Sequence, residues 1–126
     1  MIRFENRLVS LRAALTKAGA EAFYVSGVPN VSYLTGTKGY DCAIYVTQKE
    51  AWIITDFRYR EMAQSLTWLD FYETDTKHST ADFINSRPEK TIGLEKDRLT
   101  LSAFLNFKEK CPEKLRKCAS QGQIWR

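Results

Sequence analysis

An α/β domain built on a mixed sheet is predicted for this chain of 126 residues. Short apolar runs of strand length alternate with stretches of helical period. Two neighbouring runs lie close enough to form an antiparallel hairpin, and the length suits one core. In chain order, Phe4, Leu8, Leu11 and Leu15 recur at helical spacing with Arg7, Arg12 and Lys17 off the stripe, and Gly19 stands where the helix must stop. Ala22-Phe23-Tyr24-Val25, ending at Ser26-Gly27, reads as a buried central strand. A brief helical connection follows from Val28 to Leu34, closed by Gly36.

Cys42 to Thr47 and Ala51 to Thr55 are rich in Ile, Val, Tyr and Trp, with polar Gln48-Lys49-Glu50 between them, so they should pair antiparallel. Asp56 is placed to accept the free amides of a helix carrying Tyr59, Met62, Ala63 and Leu66 on one face. The second half continues the alternation: a strand at Phe71 to Thr74, a helix from Ser79 to Ser86, a strand at Thr91 to Glu95, a helix from Thr100 to Lys110 and a last strand at Leu115 to Ala119. No internal repeat or Pro/Gly-rich linker divides the chain, so residues 1–126 read as one domain. The apolar pair near the end, in Gln123-Ile124-Trp125-Arg126, suggests a longer protein that continues past this point.

Composition narrows the function classes. The 19 basic and 15 acidic residues are interspersed and give a net charge of +4, which supplies no nucleic-acid-binding stripe. Lys108, Lys110, Lys114, Arg116 and Lys117 are interrupted by Glu109 and Glu113, as on a solvated face. Cys42, Cys111 and Cys118 lack CxxC spacing and sit in or beside apolar segments, the pattern of reduced thiols in a cytoplasmic protein. No apolar stretch approaches the roughly 20 residues of a membrane span, and the first residues open directly into a charged amphipathic pattern.

The chemistry-bearing residues are sparse. His78, the only histidine, lies in the polar stretch Thr74-Asp75-Thr76-Lys77-His78-Ser79, a surface loop ahead of a helix. There is no HExxH, no paired CxxC, no Walker-type loop and no GxGxxG after a strand, and Gly36-Thr37-Lys38-Gly39 is too short to cradle a phosphate. A two-metal nuclease would need carboxylates on adjacent strands. Ala22 to Ser26 has none, and Asp41, Asp56, Glu95 and Asp97 fall at strand ends or in loops. No catalytic residue and no metal ligand is therefore assigned to this chain.

Three segments together resemble a known family: Asn30-Val31-Ser32-Tyr33-Leu34-Thr35-Gly36, Asp41-Cys42-Ala43-Ile44-Tyr45-Val46-Thr47 and Ile53-Ile54-Thr55-Asp56-Phe57-Arg58-Tyr59. Their order and spacing resemble the N-terminal domain of prolidases, aminopeptidases P and creatinases. The opening helix with Arg7, Leu11 and Arg12, and Ile92-Gly93-Leu94-Glu95 followed by Leu99-Thr100-Leu101-Ser102, extend the likeness over nearly the whole chain. The resemblance implies a ribonuclease H-like mixed sheet flanked by helices, joined in the parent protein to a C-terminal catalytic domain of the pita-bread type that this chain lacks. It further implies that two divalent metal ions, manganese, zinc or cobalt, are held in that missing domain by two Asp, one His and two Glu. The parent would then be an enzyme cutting Xaa-Pro bonds, while this fragment alone would be inactive. The resemblance also implies a homodimer formed through this domain and residues lent to a site that takes proline-containing peptides.

Arg58 is the first candidate for that lent surface. It follows a strand end, where α/β sheets expose functional loops, and stands in the first turn of a helix, where a cation opposes the dipole, while a surface arginine with a packed stem accounts for it equally well. Tyr40 and Asp41 are further candidates from a loop position, although a turn aromatic and a local Asx hydrogen bond account for them better. Many family members have Gly where this chain has Phe57, so the turn before Arg58 is expected to differ. A stand-alone ligand- or protein-interaction module of the same fold is the alternative function.

Overall fold

The structure, a computed structural model, describes residues 4–26, 28–36, 42–94 and 101–110. The elements are α1 (Phe4–Ala18), β1 (Ala22–Val25), α2 (Val28–Thr35), β2 (Ala43–Thr47), β3 (Ala51–Asp56), a 3-10 turn (Phe57–Tyr59), α3 (Arg60–Ser65), β4 (Asp70–Thr74), α4 (Thr80–Ser86), β5 (Ile92–Leu94) and α5 (Leu101–Lys110). Gly19 and Gly36 carry φ of 72° and 77°, so each supplies the left-handed residue that ends the helix before it.

The five strands form one sheet in the order β4-β3-β2-β1-β5. β1, β2 and β3 are an antiparallel meander, while β5 runs parallel to β1 and β4 parallel to β3. This is the mixed sheet flanked by helices expected from the sequence. All four residues of β1 are buried, as befits a strand paired on both sides.

Side-chain alternation sorts the strands into two faces. Phe23 and Val25, Ile44 and Val46, and Ile53 join Leu11 and Leu15 of α1, Leu34 of α2 and Ala63 of α3 in one core cluster. Tyr24, Tyr45, Ile54 and Ile92 join Ala81, Phe83 and Ile84 of α4 in the other. On that second face Phe83 makes edge or tilted ring contacts with Tyr45, Trp52 and Tyr72 at centroid distances of 5.3, 5.2 and 4.7 Å.

Several boundaries differ from the periodicity reading. The helix expected directly after Asp56 begins as a one-turn 3-10 segment, and its α-helical part ends at Ser65. The reason is local: Leu66 and Leu69 are both buried, so the chain must turn inward there to reach β4. Of the strand expected at Thr91 to Glu95, the described part is regular over Ile92–Leu94. Glu95, the expected last strand at Leu115 to Ala119, Cys111, Cys118 and the terminal Gln123 to Arg126 lie outside the described residues. Cys42 is buried and forms no disulfide bond.

Candidate functional site

The pairing pattern sends the carboxyl ends of β1, β3, β4 and β5 to the same rim, and β2 begins there. That rim holds a cleft of about 170 Å³ whose polar lining comes from Ser26 after β1, Thr55 and Asp56 at the end of β3, Thr74 at the end of β4 and Thr80 opening α4. Open α/β sheets place ligands in this position because loops diverge where strands stop.

Asp56 organises the rim. Its Oδ1 accepts a 3.0 Å hydrogen bond from the Arg58 amide, capping the 3-10 turn. The same carboxylate accepts from Arg58 Nε at 3.0 and 3.1 Å and from Nη2 at 2.8 Å. The Arg58 guanidinium also lies 5.1 Å from the Tyr59 ring centroid. Its side chain is 52% exposed and that of Asp56 29%. The hydrogen bond to Arg58 holds the Asp56 carboxyl below its ordinary range despite partial desolvation.

The sequence placed Arg58 as a cation set against a helix dipole. The structure adds the partner that offsets that cost, since the Asp56 carboxylate sits at the N-cap where the dipole favours negative charge. Phe57 is 70% exposed, and no non-glycine residue among those described has positive φ, so the turn is an ordinary right-handed one that a phenylalanine can occupy. A second pair of the same kind stands beside it: Arg60 Nε and Nη2 donate to Glu73 Oε1 and Oε2 at 2.6 and 2.8 Å. Hydrogen bonding to Arg60 lowers the Glu73 pKa.

Comparison with known proteins decides the family. The family model described as Creatinase/Prolidase N-terminal domain matches residues 7–125. The chain belongs to the creatinase/prolidase N-terminal domain family.

Relatives agree with that membership. A protein of Bacillus subtilis (strain 168) named "Uncharacterized peptidase YqhT" is 27% identical over 104 residues, covering 80% of this chain. The N-terminal domain of the cytoplasmic peptidase PepQ from Mycobacterium tuberculosis H37Rv is 25% identical with a TM-score of 0.80, covering 91% of this chain and 93% of that one. The Xaa-Pro dipeptidase from Bacillus anthracis superposes with a TM-score of 0.84 at 22% identity over 94% of this chain, a likeness of fold. This creatinase/prolidase domain spans 30% of the length of the Bacillus subtilis relative and 34% of the Bacillus anthracis chain.

Of the site residues read from the sequence, Arg58 stands on the carboxyl rim, whereas Tyr40 and Asp41 lie outside the described residues. Thr74 and Thr80 were not singled out, because a threonine at a strand end and one opening a helix carry no motif until the sheet brings them together. The sequence marks Asp56 as a cap, and only the side-chain geometry shows that it also holds the Arg58 side chain.

Among the described residues no group of three His, Cys, Asp or Glu side chains could hold a metal ion. His78 Nδ1 instead lies 2.9 Å from Asp75 Oδ1 on the loop before α4. The residues described here therefore do not fit a divalent metal, and no chemical step is assigned to one in this chain. Among the described residues no helix is long and apolar enough to cross a membrane.

The opposite rim carries a larger cleft of about 460 Å³ beside Glu50 and Glu89. There Arg87 bridges Glu50 and Glu89, and Tyr45 Oη donates to Glu89 at 2.9 Å. Burial opposes the Arg87 charge, but hydrogen bonds to Glu50 and Glu89 outweigh it and raise its pKa. Burial, reinforced by the Glu89 charge, pushes the Tyr45 phenol well above its ordinary value. These groups satisfy one another, so the arrangement reads as a lock between β2 and the segment after α4.

Proposed function

We propose that this domain is the non-catalytic N-terminal part of a cytoplasmic, metal-dependent Xaa-Pro peptidase, serving dimer formation and lending its carboxyl rim to the substrate pocket. The observation that carries the reading is Arg58, a half-exposed guanidinium fixed at the strand-end rim of a domain whose family model covers nearly the whole chain. Relatives named as peptidases, one of them as a cytoplasmic peptidase, support the enzyme class and the compartment. In this reading the two divalent ions, manganese, zinc or cobalt, and the hydrolytic step belong to a catalytic domain outside this chain. The substrate is a proline-containing peptide.

Arg58 would meet a carboxylate or carbonyl oxygen of the peptide, and Tyr40 and Asp41 would stand at the same mouth, in the protomer's own site or its partner's. A guanidinium suits this task because its planar fork gives direction as well as charge, which a lysine does not reproduce.

The test begins with the reading frame beyond Arg126, where the proposal expects a domain carrying an Asp, Asp, His, Glu, Glu ligand set and a product that hydrolyses Xaa-Pro peptides. In that product Arg58→Ala should mainly raise KM, costing roughly 1 to 3 kcal/mol in kcat/KM, with thermal stability nearly unchanged. Full activity in the purified variant dimer would remove Arg58 from the site. A large loss of stability with unchanged catalysis would make it a structural residue.

A further inference from the structure

The contacts made by Asp56 exceed what a helix cap requires. Capping needs one oxygen on the Arg58 amide, and Oδ1 supplies it at 3.0 Å. Both oxygens also engage the Nε and Nη2 edge of the guanidinium, over a separation of only two residues. A backbone bond and a side-chain clamp from one carboxylate tie the direction of the guanidinium to the end of β3, so the plane of the head group follows the sheet and not the free rotamers of a long side chain. Arginine surrenders several rotatable bonds when it binds a ligand, and fixing them beforehand lowers that cost. Asp56 also lines the cleft at the rim, alongside Thr55 and Thr74, and the Arg58 side chain that it holds is half exposed.

We propose that Asp56 is a positioning residue that orients Arg58 toward the peptide substrate and makes it a directional hydrogen-bond donor instead of a bare cation. The proposal rests on the reading of Arg58 as a substrate-facing residue. The charge follows from the same geometry: Asp56 and Arg58 together are net neutral, so the rim attracts an anion weakly at long range and recognises an oxygen acceptor mainly at contact. A substrate carboxylate and a substrate carbonyl are therefore both within its chemistry, and the pair selects by direction more than by charge.

Asp56→Ser separates positioning from folding, because a serine still caps the 3-10 turn but is too short to clamp the guanidinium. In the longer enzyme Asp56→Ser should raise KM for Xaa-Pro dipeptides about five- to tenfold with kcat little changed, Asp56→Glu should restore part of the loss, and neither should have an effect in an Arg58→Ala background. In the 126-residue chain itself, the Arg58 Nε–Hε resonance should be distinct and slow to exchange, and should join those of exposed arginines in Asp56→Ser. An unchanged resonance, or a KM effect that persists undiminished in the Arg58→Ala background, overturns the role given to Asp56. A clamp intact by resonance in an enzyme with no Xaa-Pro activity overturns the functional reading, and the role of Asp56 with it.

Discussion

Gly93 owes its identity to a neighbour, and the structure names it. A Cβ added at Gly93 would lie 2.0 and 2.2 Å from two ring carbons of Phe23, a side chain fully buried in the core. β5 pairs Gly93 with Phe23, so the ring lies across the strand where any side chain would stand. Gly93→Ala should destabilise the domain by about 1 to 3 kcal/mol, toward the upper end because the ring has no solvent side to yield into. A thermal melt should show it as a fall of several degrees. Tyr45 offers a pH-dependent counterpart on the other rim. Its folded pKa is raised by burial and by Glu89, so the neutral phenol contributes fully below the ordinary tyrosine value near 10, and the contribution is lost as pH rises through the folded value. Tyr45→Phe should cost about 1 kcal/mol at neutral pH by removing the bond to Glu89. Urea unfolding compared at pH 8 and pH 11 should show a shallower alkaline decline in the variant than in the wild type.

At the scale of elements, α4 shows how a helix of only seven residues is held in place. Ser79 accepts from the Asp82 amide at 3.1 Å, and Asp82 accepts from the Ser79 amide at 3.1 Å, so both ends of a capping box are closed. Behind it Ala81, Phe83 and Ile84 bury the apolar face against the sheet. Ser79→Ala should therefore lower stability by about 1 kcal/mol, measurable by urea unfolding at pH 7. The Ser79 amide and hydroxyl hold the Asp82 carboxyl below its ordinary range. A depressed folded pKa means that this stabilisation is complete above the usual carboxylate value near 4 and is lost as pH falls through the lower folded value. Asp82→Asn should thus be less sensitive to acid than the wild type when melting temperatures at pH 7 and pH 3 are compared. The 3-10 turn after β3 works the same way on a smaller scale. Hydrogen bonds likewise hold the Asp56, Glu73 and Asp75 carboxyls at this rim below their ordinary range.

At the scale of the whole molecule, the strand order decides what the domain presents. β1, β3, β4 and β5 finish at one rim because β2 alone runs against them. The Asp56 and Arg58 pair, the Thr74 and Thr80 hydroxyls and the start of β2 thereby share one end of the sheet, with the Arg87, Glu50 and Glu89 lock at the other. Nothing among the described residues gathers carboxylates or imidazoles closely enough for a metal. The purified chain should therefore keep its melting temperature within about 1 °C when EDTA is added, since a ligand that binds only the folded state would have raised it. Stoichiometric metal surviving dialysis, with a fall in melting temperature on chelation, would contradict that expectation.

The sequence by itself determined the alternation of elements, because it follows from local period: the stripe of Phe4, Leu8, Leu11 and Leu15 marks a helix and the apolar runs Ala22 to Val25 and Ala51 to Thr55 mark strands, whose two apolar faces the structure then sorted. It also carried the family, through segments such as Thr55-Asp56-Phe57-Arg58-Tyr59, and it marked Arg58 as a residue at a strand end. Element boundaries after Asp56 were less legible, because the burial of Leu66 and Leu69 overrides helical propensity there. Tertiary structure alone decided that Asp56 serves the guanidinium as well as the turn, that Gly93 yields its space to Phe23, and that Thr74 and Thr80 stand beside Asp56. The last two depend on which strands become neighbours, and pairing between residues far apart in the chain leaves no period from which it could be read, while the Asp56 contact spans only two residues and depends on the rotamers the two side chains adopt.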